Sequence, residues 1–295
     1  MANMNLRIGS LMCLEKEIDR LIDISIAEDI KSGDITSEAL LPKHAIFSAK
    51  FVLKQAGTVA GLPFLKILFE KIDPDIKVAI CQEEGSGQKA GAIIAEVTGR
   101  ARSLLLGERI ALNLIQHASG VATITAAYVK KIRGLPCAIL DTRKTLPGLR
   151  ALENYAVRVG GGTNHRSSLD DRFIIKNNHL YFLGSQSSTP IKDAVNLVKA
   201  HRPNLAIEVE ISRCEHLDAV LETGADAVML SRMTPQQIQA CMRKIRKTDK
   251  KAFVESLGTI TLDTVRVYAE TGVDGISIGS LTHSVLALDI VMRLS

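Results

Sequence analysis

The stretch LAIEVEISRCEHLDAVLETGADAVMLS, residues 205–231, decides the fold class. It opens with an apolar, β-branched run, LAIEVEI, and closes with another, ADAVML. Between them, residues 215–223 carry apolar groups at helical spacing, and Gly224 follows as a stop signal. Two short buried strands joined through a helix make a parallel βαβ unit, because a tight turn cannot bring parallel strands side by side. The same alternation runs outward in both directions. Upstream lie CAILD (137–141) and RFIIK (172–176), and downstream KAFVES (251–256) and DGISIG (274–279). Helical segments at 191–201, 234–246 and 261–271 separate the strands. Six or seven such units are too few for a closed eight-stranded barrel. The pattern therefore predicts an incomplete, open α/β barrel, and periodicity alone leaves a doubly wound sheet as the alternative.

The first ~110 residues read as α+β. An amphipathic helix is expected over 14–28, strands over 46–60 joined through Gly57, and a short helix over 63–72 opened by Pro63. Further strands are expected at 76–82 and 92–98, around the turn EEGSGQKAG. Two helices follow, over 102–117 and 119–133, the second ending at Gly134. The expected organisation is an N-terminal α/β sandwich over 1–111, joined by a C-terminal helix over 281–295, and a barrel over 112–280.

The 295 residues suffice for both units, and 46% hydrophobic content argues for packed cores. Charges interrupt the apolar residues of 1–21, so no signal-peptide core is expected there. No run approaches the length of a membrane-spanning helix, and the expected location is the cytoplasm. Cys13, Cys81, Cys137, Cys214 and Cys241 lack C-x-x-C spacing and read as reduced, buried thiols. The net charge of +5 does not point to nucleic acid. The one dense basic run, RKIRKTDKK (243–251), carries no interleaved aromatics and reads as a solvated helix end.

Nearly every barrel strand ends in a residue capable of chemistry. CAILD leads into Thr142, Arg143 and Lys144; the others end in Lys176, Glu210, Ser231, Glu255 and Gly279-Ser280. Ligands of parallel α/β folds sit at the carboxyl ends of the strands, so these residues converge on one site. Arg143, Lys144, His165, Arg166 and Lys176 would repel one another without an anion among them. Their ligand is expected to be small and multiply anionic, a dicarboxylate together with phosphates. Gly160-Gly161-Gly162 before Thr163 reads either as a close approach to ligand or as a plain turn. Leu257-Gly258-Thr259 and Gly279-Ser280, each before an expected helix, are candidate phosphate cradles, though each also reads as simple capping. There is no G-x-x-x-x-G-K-[ST], G-x-S-x-G, HExxH or early GxGxxG, so P-loop, hydrolase, zinc-protease and dehydrogenase classes lose ground.

The block ILDTRKTLPGLRALENYAVRVGGGTNHR (139–166) resembles the signature block of the quinolinate phosphoribosyltransferases. AEDIKSGDITS (27–37), GERIALNLIQHASGVAT (107–123), IIKNNH (174–179), IEVEI (207–211) and YAETGVDGISIGSLTHS (268–284) extend the resemblance along nearly the whole chain, in order. The resemblance implies an N-terminal α/β sandwich joined to an incomplete barrel. It implies transfer of phosphoribosyl from phosphoribosyl pyrophosphate to quinolinate with loss of pyrophosphate and CO2, giving nicotinate mononucleotide for NAD synthesis. By the same resemblance Arg143, His165, Arg166 and Lys176 would hold the quinolinate carboxylates beside Thr142, with Lys144 near the pyrophosphate path. Glu210 would face the ribose and a magnesium ion carried mainly by the phosphoribosyl pyrophosphate, with Ser231 alongside. Leu257, Gly258, Thr259, Ile278, Gly279 and Ser280 would hold the 5′-phosphate. Arg109 would reach a neighbouring subunit's site in a homodimer or larger assembly. The chain departs from the family pattern at three places. Ser231-Arg232 stands where Asp-Asn is usual, Leu257 where Ser is usual, and Asn177 where Asp is usual. A paralogous pyrophosphorylase with another acceptor and a degenerate, non-catalytic assembly subunit are the competing readings. The complete TRK, NHR and IIK set argues against the first, and Ser231 and Leu257 favour the second.

Overall fold

The computed structural model describes residues 11–248 and 252–294. The chain runs α1 (Leu11–Asp29), α2 (Ile35–Leu40), β1 (Ile46–Leu53), β2 (Gly57–Thr58), α3 (Leu62–Ile72), β3 (Lys77–Ile80), β4 (Gly87–Gln88), β5 (Ile93–Arg100) and α4 (Ala101–Lys131). It continues with β6 (Ala138–Leu140), α5 (Arg150–Val159), β7 (Phe173–Ile175), α6 (Asn177–Gly184), α7 (Pro190–His201), β8 (Ile207–Ile211) and α8 (Leu217–Thr223). The last elements are β9 (Ala227–Ser231), α9 (Pro235–Ile245), β10 (Phe253–Leu257), α10 (Val265–Ala269), β11 (Gly275–Ser277), α11 (Ser280–His283) and β12 (Ile290–Leu294).

Two compact units result. Of the described residues, one gathers 11–126, 144–161 and 280–294, and the other 127–143, 162–248 and 252–279. In the first, a four-stranded antiparallel sheet has the order β12-β1-β5-β3. Alternation along β1 buries Ala49, Phe51 and Leu53 on one face, the half-buried pattern of an antiparallel sheet. Phe51 meets Phe69 of α3 at a 6.4 Å ring separation, within a core that includes Leu65, Leu68 and Ile94.

Two expectations are corrected here. The C-terminal segment 281–295 is not a helix: α11 stops at His283, and β12 pairs antiparallel with β1, Ala49 opposite Leu294 and Leu53 opposite Ile290. The helices expected over 102–117 and 119–133 are the single α4. Gly120 does not break it. A Cβ there would lie 2.4 Å from the carbonyl oxygen of Leu286, so the glycine serves a close approach of the C-terminal segment.

The second unit is the α/β layer read from residues 205–231. Six strands form one parallel sheet in the order β6-β11-β10-β9-β8-β7, curved into an open barrel. Its strands are near-continuous apolar runs, Val209, Val228, Leu230, Val254 and Ile276 among them, as a sheet covered on both faces requires. Cys81, Cys137, Cys214 and Cys241 are free thiols, with Cys241 buried and Cys81 exposed; the side chain of Cys13 lies outside the described residues. Residues 249–251 of the basic run also lie outside them.

Candidate active site

Strand register sets the levels of the site. Glu210 aligns with Met229, and Met229 with Glu255; two residues on, Ser231 aligns with Leu257 and Leu257 with Ser277. Because side chains alternate, Glu208 shares a face with Glu210 and Met229 with Ser231. Glu210 and Ser231 are thus the outer polar residues of β8 and β9, with Glu208 and Met229 one period behind them, and on β10 Glu255 lies one period behind Leu257.

The deeper layer is an ion-pair cluster. His165 Nε2 lies 3.1 Å from a Glu208 carboxylate oxygen and 2.8 Å from one of Glu255. All three residues are buried. Burial opposes charge on the His165 ring, but the carboxylates of Glu255 and Glu208 outweigh it and push the pKa up to about 10. Burial and then repulsion from Glu208 push Glu255 up to about 7. Glu208 resists its own burial and stays below the usual carboxylate range, held first by His165. Buried Arg172 completes the group, its guanidinium 4.0 Å from Glu208 and donating to the His165 carbonyl at 3.0 Å.

Segment 163–165 is laid along β6. Thr163 N–H donates to the Ile139 carbonyl at 2.8 Å, and Asp141 N–H to the Thr163 carbonyl at 3.2 Å. Asp141, buried, then accepts from the His165 backbone N–H at 2.7 Å and from the Asn164 amide. Arg166 follows, donating to the Arg172 carbonyl at 3.1 Å. Burial and then the Arg143 guanidinium pull the Arg166 pKa down, so two permanent cations share this rim.

The predicted residues Thr142, Arg143, His165, Arg166, Lys176, Glu210, Ser231, Leu257, Gly258, Thr259, Ile278 and Gly279 all belong to the barrel unit, at or just past strand ends except His165 and Arg166, which lie in the segment between α5 and β7. Lys176 is exposed and its N–H donates to His179 Nδ1 at 3.0 Å as α6 begins. Ser231 and Ile278 are buried, while Glu210 and Gly258 are half-buried. Arg109 (on α4), Lys144 and Ser280 belong to the sandwich unit; Arg109 and Lys144 are exposed. The helix-terminus argument for the two phosphate loops fails. α10 begins only at Val265 and has five residues, and α11 begins at Ser280 and has four. Neither is long enough to build a macrodipole. The glycine triplet also divides its work. Gly160 lets α5 pack on α4, and Gly161 takes φ +86° to leave the helix. A cleft of about 160 Å3 in the sandwich unit, lined by Asn113, His117 and Leu152, holds none of the cationic set.

Arg172, Glu208 and Asp141 were missed by reasoning from strand ends, and Glu255 was seen only as one. The period-two spacing of Glu208 and Glu210 in IEVE was the available signal.

The donor set does not make a protein-held magnesium site. Magnesium takes oxygen ligands, one or two carboxylates plus substrate phosphates. The strand ends offer one accessible carboxylate, Glu210, with a neutral hydroxyl at Ser231 and the cation Arg232 next to it. The deeper trio, though its ligand atoms lie within 4.8 Å of one another, is no better. A ligating imidazole must offer a lone pair, and here the two carboxylates favour the protonated ring, which has none.

The folded barrel with a cationic rim and an acidic floor defines a class of α/β proteins that take anions at their strand ends. Residues 34–119 match the family model of the quinolinate phosphoribosyl transferase N-terminal domain, and 121–293 that of its C-terminal domain. The chain is 40% identical over 273 residues to a nicotinate-nucleotide pyrophosphorylase [carboxylating] of Mycobacterium leprae, covering 92% of this chain and 94% of that one. It is 38% identical over 276 residues to a probable enzyme of the same name from Bacillus subtilis, covering 94% and 93%. The solved nicotinate-nucleotide pyrophosphorylase of Francisella tularensis superposes with a TM-score of 0.87 at 34% identity, covering 95% of this chain and 96% of that one. The chain belongs to the quinolinate phosphoribosyl transferase family.

Proposed function

We propose that this protein transfers phosphoribosyl from phosphoribosyl pyrophosphate to quinolinate and releases pyrophosphate, CO2 and nicotinate mononucleotide. The observation that carries this is the charge arrangement at the strand ends. Arg143 and Arg166 are permanent cations, and His165 is held protonated by two buried carboxylates. With Nε2 committed to the glutamates, only the other ring nitrogen remains to donate to a ligand. Three fixed cations with Lys176 nearby suit a planar dianion with adjacent carboxylates, and their prior placement offsets the entropy of orienting it.

The chemistry follows from that placement. The pyridine nitrogen attacks the ribose carbon as pyrophosphate leaves, and positive charge that develops on the ribose is stabilised by Glu210. The positive charge on the quaternised nitrogen then stabilises the electron pair left on the adjacent ring carbon as the neighbouring carboxylate departs as CO2, and that carbon takes up a proton from water to give nicotinate mononucleotide. A magnesium ion, if carried by the phosphates of the phosphoribosyl pyrophosphate, would offset charge on the departing pyrophosphate, with Glu210 the carboxylate available to it. Lys144 lies beside the pyrophosphate, and residues 257–259 and 278–280 take the 5′-phosphate through backbone N–H groups. We further infer a cytoplasmic homodimer or larger assembly, in which Arg109 of the partner subunit completes the acceptor site. Among the described residues no helix is long and apolar enough to cross a membrane.

The test is production of nicotinate mononucleotide from quinolinate, phosphoribosyl pyrophosphate and magnesium. Arg166→Ala is expected to raise the KM for quinolinate severely. Turnover of nicotinate in place of quinolinate would refute the dicarboxylate reading, and quinolinate binding without product would mark a non-catalytic homologue. Mixing Arg109→Ala with Lys176→Ala subunits is expected to restore activity through hybrids; no restoration would place Arg109 in its own subunit's site.

A further inference from the structure

At the end of β9 the backbone turns through Arg232 at φ +57°. An L side chain adopts this left-handed region at a cost, and such a conformation persists where the surroundings impose it. They do so here from both sides. Arg232 N–H donates to the Leu257 carbonyl at 2.7 Å, tying the end of β9 to the end of β10. Ser231 before it and Met233 after it are buried, and Thr234 is fixed as the N-cap of α9, accepting from Gln237 N–H at 3.3 Å. A Cβ built on Gly258 would lie 3.9 Å from the Arg232 Cα, so the 257–259 loop runs alongside this turn. The side chain of Arg232 is exposed and makes no ion pair among the described residues.

An arginine without a carboxylate partner among the described residues therefore stands at the carboxyl edge of the sheet, its backbone beside the proposed phosphate loop. Asn, which tolerates the left-handed region, is the residue expected at this turn; Arg accepts the strain and adds a charge. With Ser231 where an acid is expected, this edge is two charges more positive than the arrangement the family resemblance implies. An edge built to hold a metal would gain nothing from that change, whereas one that meets phosphate directly would.

We propose that Arg232 is a phosphate-binding residue that contacts the phosphoryl oxygens of the phosphoribosyl donor and takes over charge neutralisation otherwise left to metal. The proposal rests on the functional reading above. Those oxygens belong either to the diphosphate or to the 5′-phosphate, and two probes separate them. Inorganic pyrophosphate and ribose 5-phosphate are titrated calorimetrically into the native protein and into Arg232→Asn, with and without magnesium. Asn keeps the turn and removes the charge. Affinity for one of the two probes is expected to fall about tenfold in metal-free buffer, as loss of a charge-assisted hydrogen bond requires, and by less when magnesium is present. Quinolinate affinity is expected to stay unchanged, Arg232→Lys to recover part of the loss, and the melting temperature to stay level or rise. Unchanged affinity for both probes would overturn the proposal. So would an equal loss of quinolinate binding or a marked fall in melting temperature, since either would make Arg232 a structural residue. The probes need no turnover, so a native protein that makes no nicotinate mononucleotide would refute the function without deciding this point.

Discussion

Replacing His165 by Leu tests the buried cluster apart from any ligand. Leu fills much of the ring's volume and keeps water out, but leaves Glu208 and Glu255 facing each other with only Arg172, 4.0 Å from Glu208, as a nearby cation. At 2.8 and 3.1 Å and an effective dielectric constant of about 20, each carboxylate attracts the imidazolium by roughly 5–6 kcal/mol, before the cost of burying the charges. The rise of the His165 pKa from 6.5 to about 10 corresponds to a similar ~5 kcal/mol. Allowing for relaxation, His165→Leu is expected to cost about 3–5 kcal/mol at pH 7, the range for removing one partner of a buried pair.

The pH dependence is the sharper check. In the native protein the folded pKa of His165 lies above the unfolded one. Its contribution is complete below about pH 6.5 and is lost as the pH rises through about 10. From about pH 5 upward the native cluster takes up one proton on folding, first at Glu255 and then at His165. The variant has only Arg172, 4.0 Å from Glu208, to offset two carboxylates, so it takes up between one proton and two. The stability gap between them therefore holds or widens with pH, by at most about 1.4 kcal/mol per unit. Urea denaturation of both proteins at pH 5, 6, 7 and 8 measures it. A gap below about 1 kcal/mol at pH 7, or one that narrows as pH rises, would refute the ion-pair account.

Asp73→Asn removes a buried carboxylate that Arg100 grips through two nitrogens and holds far below the usual range. Arg100 is half exposed, so the expected loss at pH 7 is only about 1–2 kcal/mol. The folded pKa is depressed, so this stability is complete above about pH 4 and is lost only as the pH falls through the depressed folded value; the gap between the two proteins' urea curves should be smaller at pH 3 than at pH 7 without closing. Gly160→Ala would set a Cβ 2.5 Å from the Ala122 carbonyl oxygen and 2.7 Å from the Thr125 Cβ, forcing α5 off α4; a loss of about 1–3 kcal/mol is expected in thermal unfolding. Ser231→Asp restores a carboxylate beside Glu210, and half-saturation of turnover by magnesium is expected at severalfold lower concentration; an unchanged value would mean that this edge does not meet the metal at all.

What could be read in the sequence follows from the range of the forces involved. Apolar runs and their alternation with helices are local, so the six barrel strands, the parallel order and the polar strand ends were legible. The inner layer was not. Glu208 lies on β8, Glu255 on β10 and Arg172 just before β7, and their meeting at His165 depends on register between segments far apart in the chain. Only the i, i+2 spacing of Glu208 and Glu210 hinted at a second polar level. Gly120 misled for the opposite reason. Its local preference is to interrupt a helix, and the contact with Leu286 that justifies it lies more than 160 residues away. β12 was misassigned likewise, since its backbone donors find partners only on β1. The departures at Ser231 and Arg232 were visible at once as residue types. Their joint meaning needed the turn. A neutral Ser beside an exposed Arg is an unremarkable pair in sequence, but the turn, fixed by the Leu257 carbonyl on the Arg232 N–H, sets both residues at the end of β9 alongside the 257–259 loop, where the added positive charge bears on phosphate.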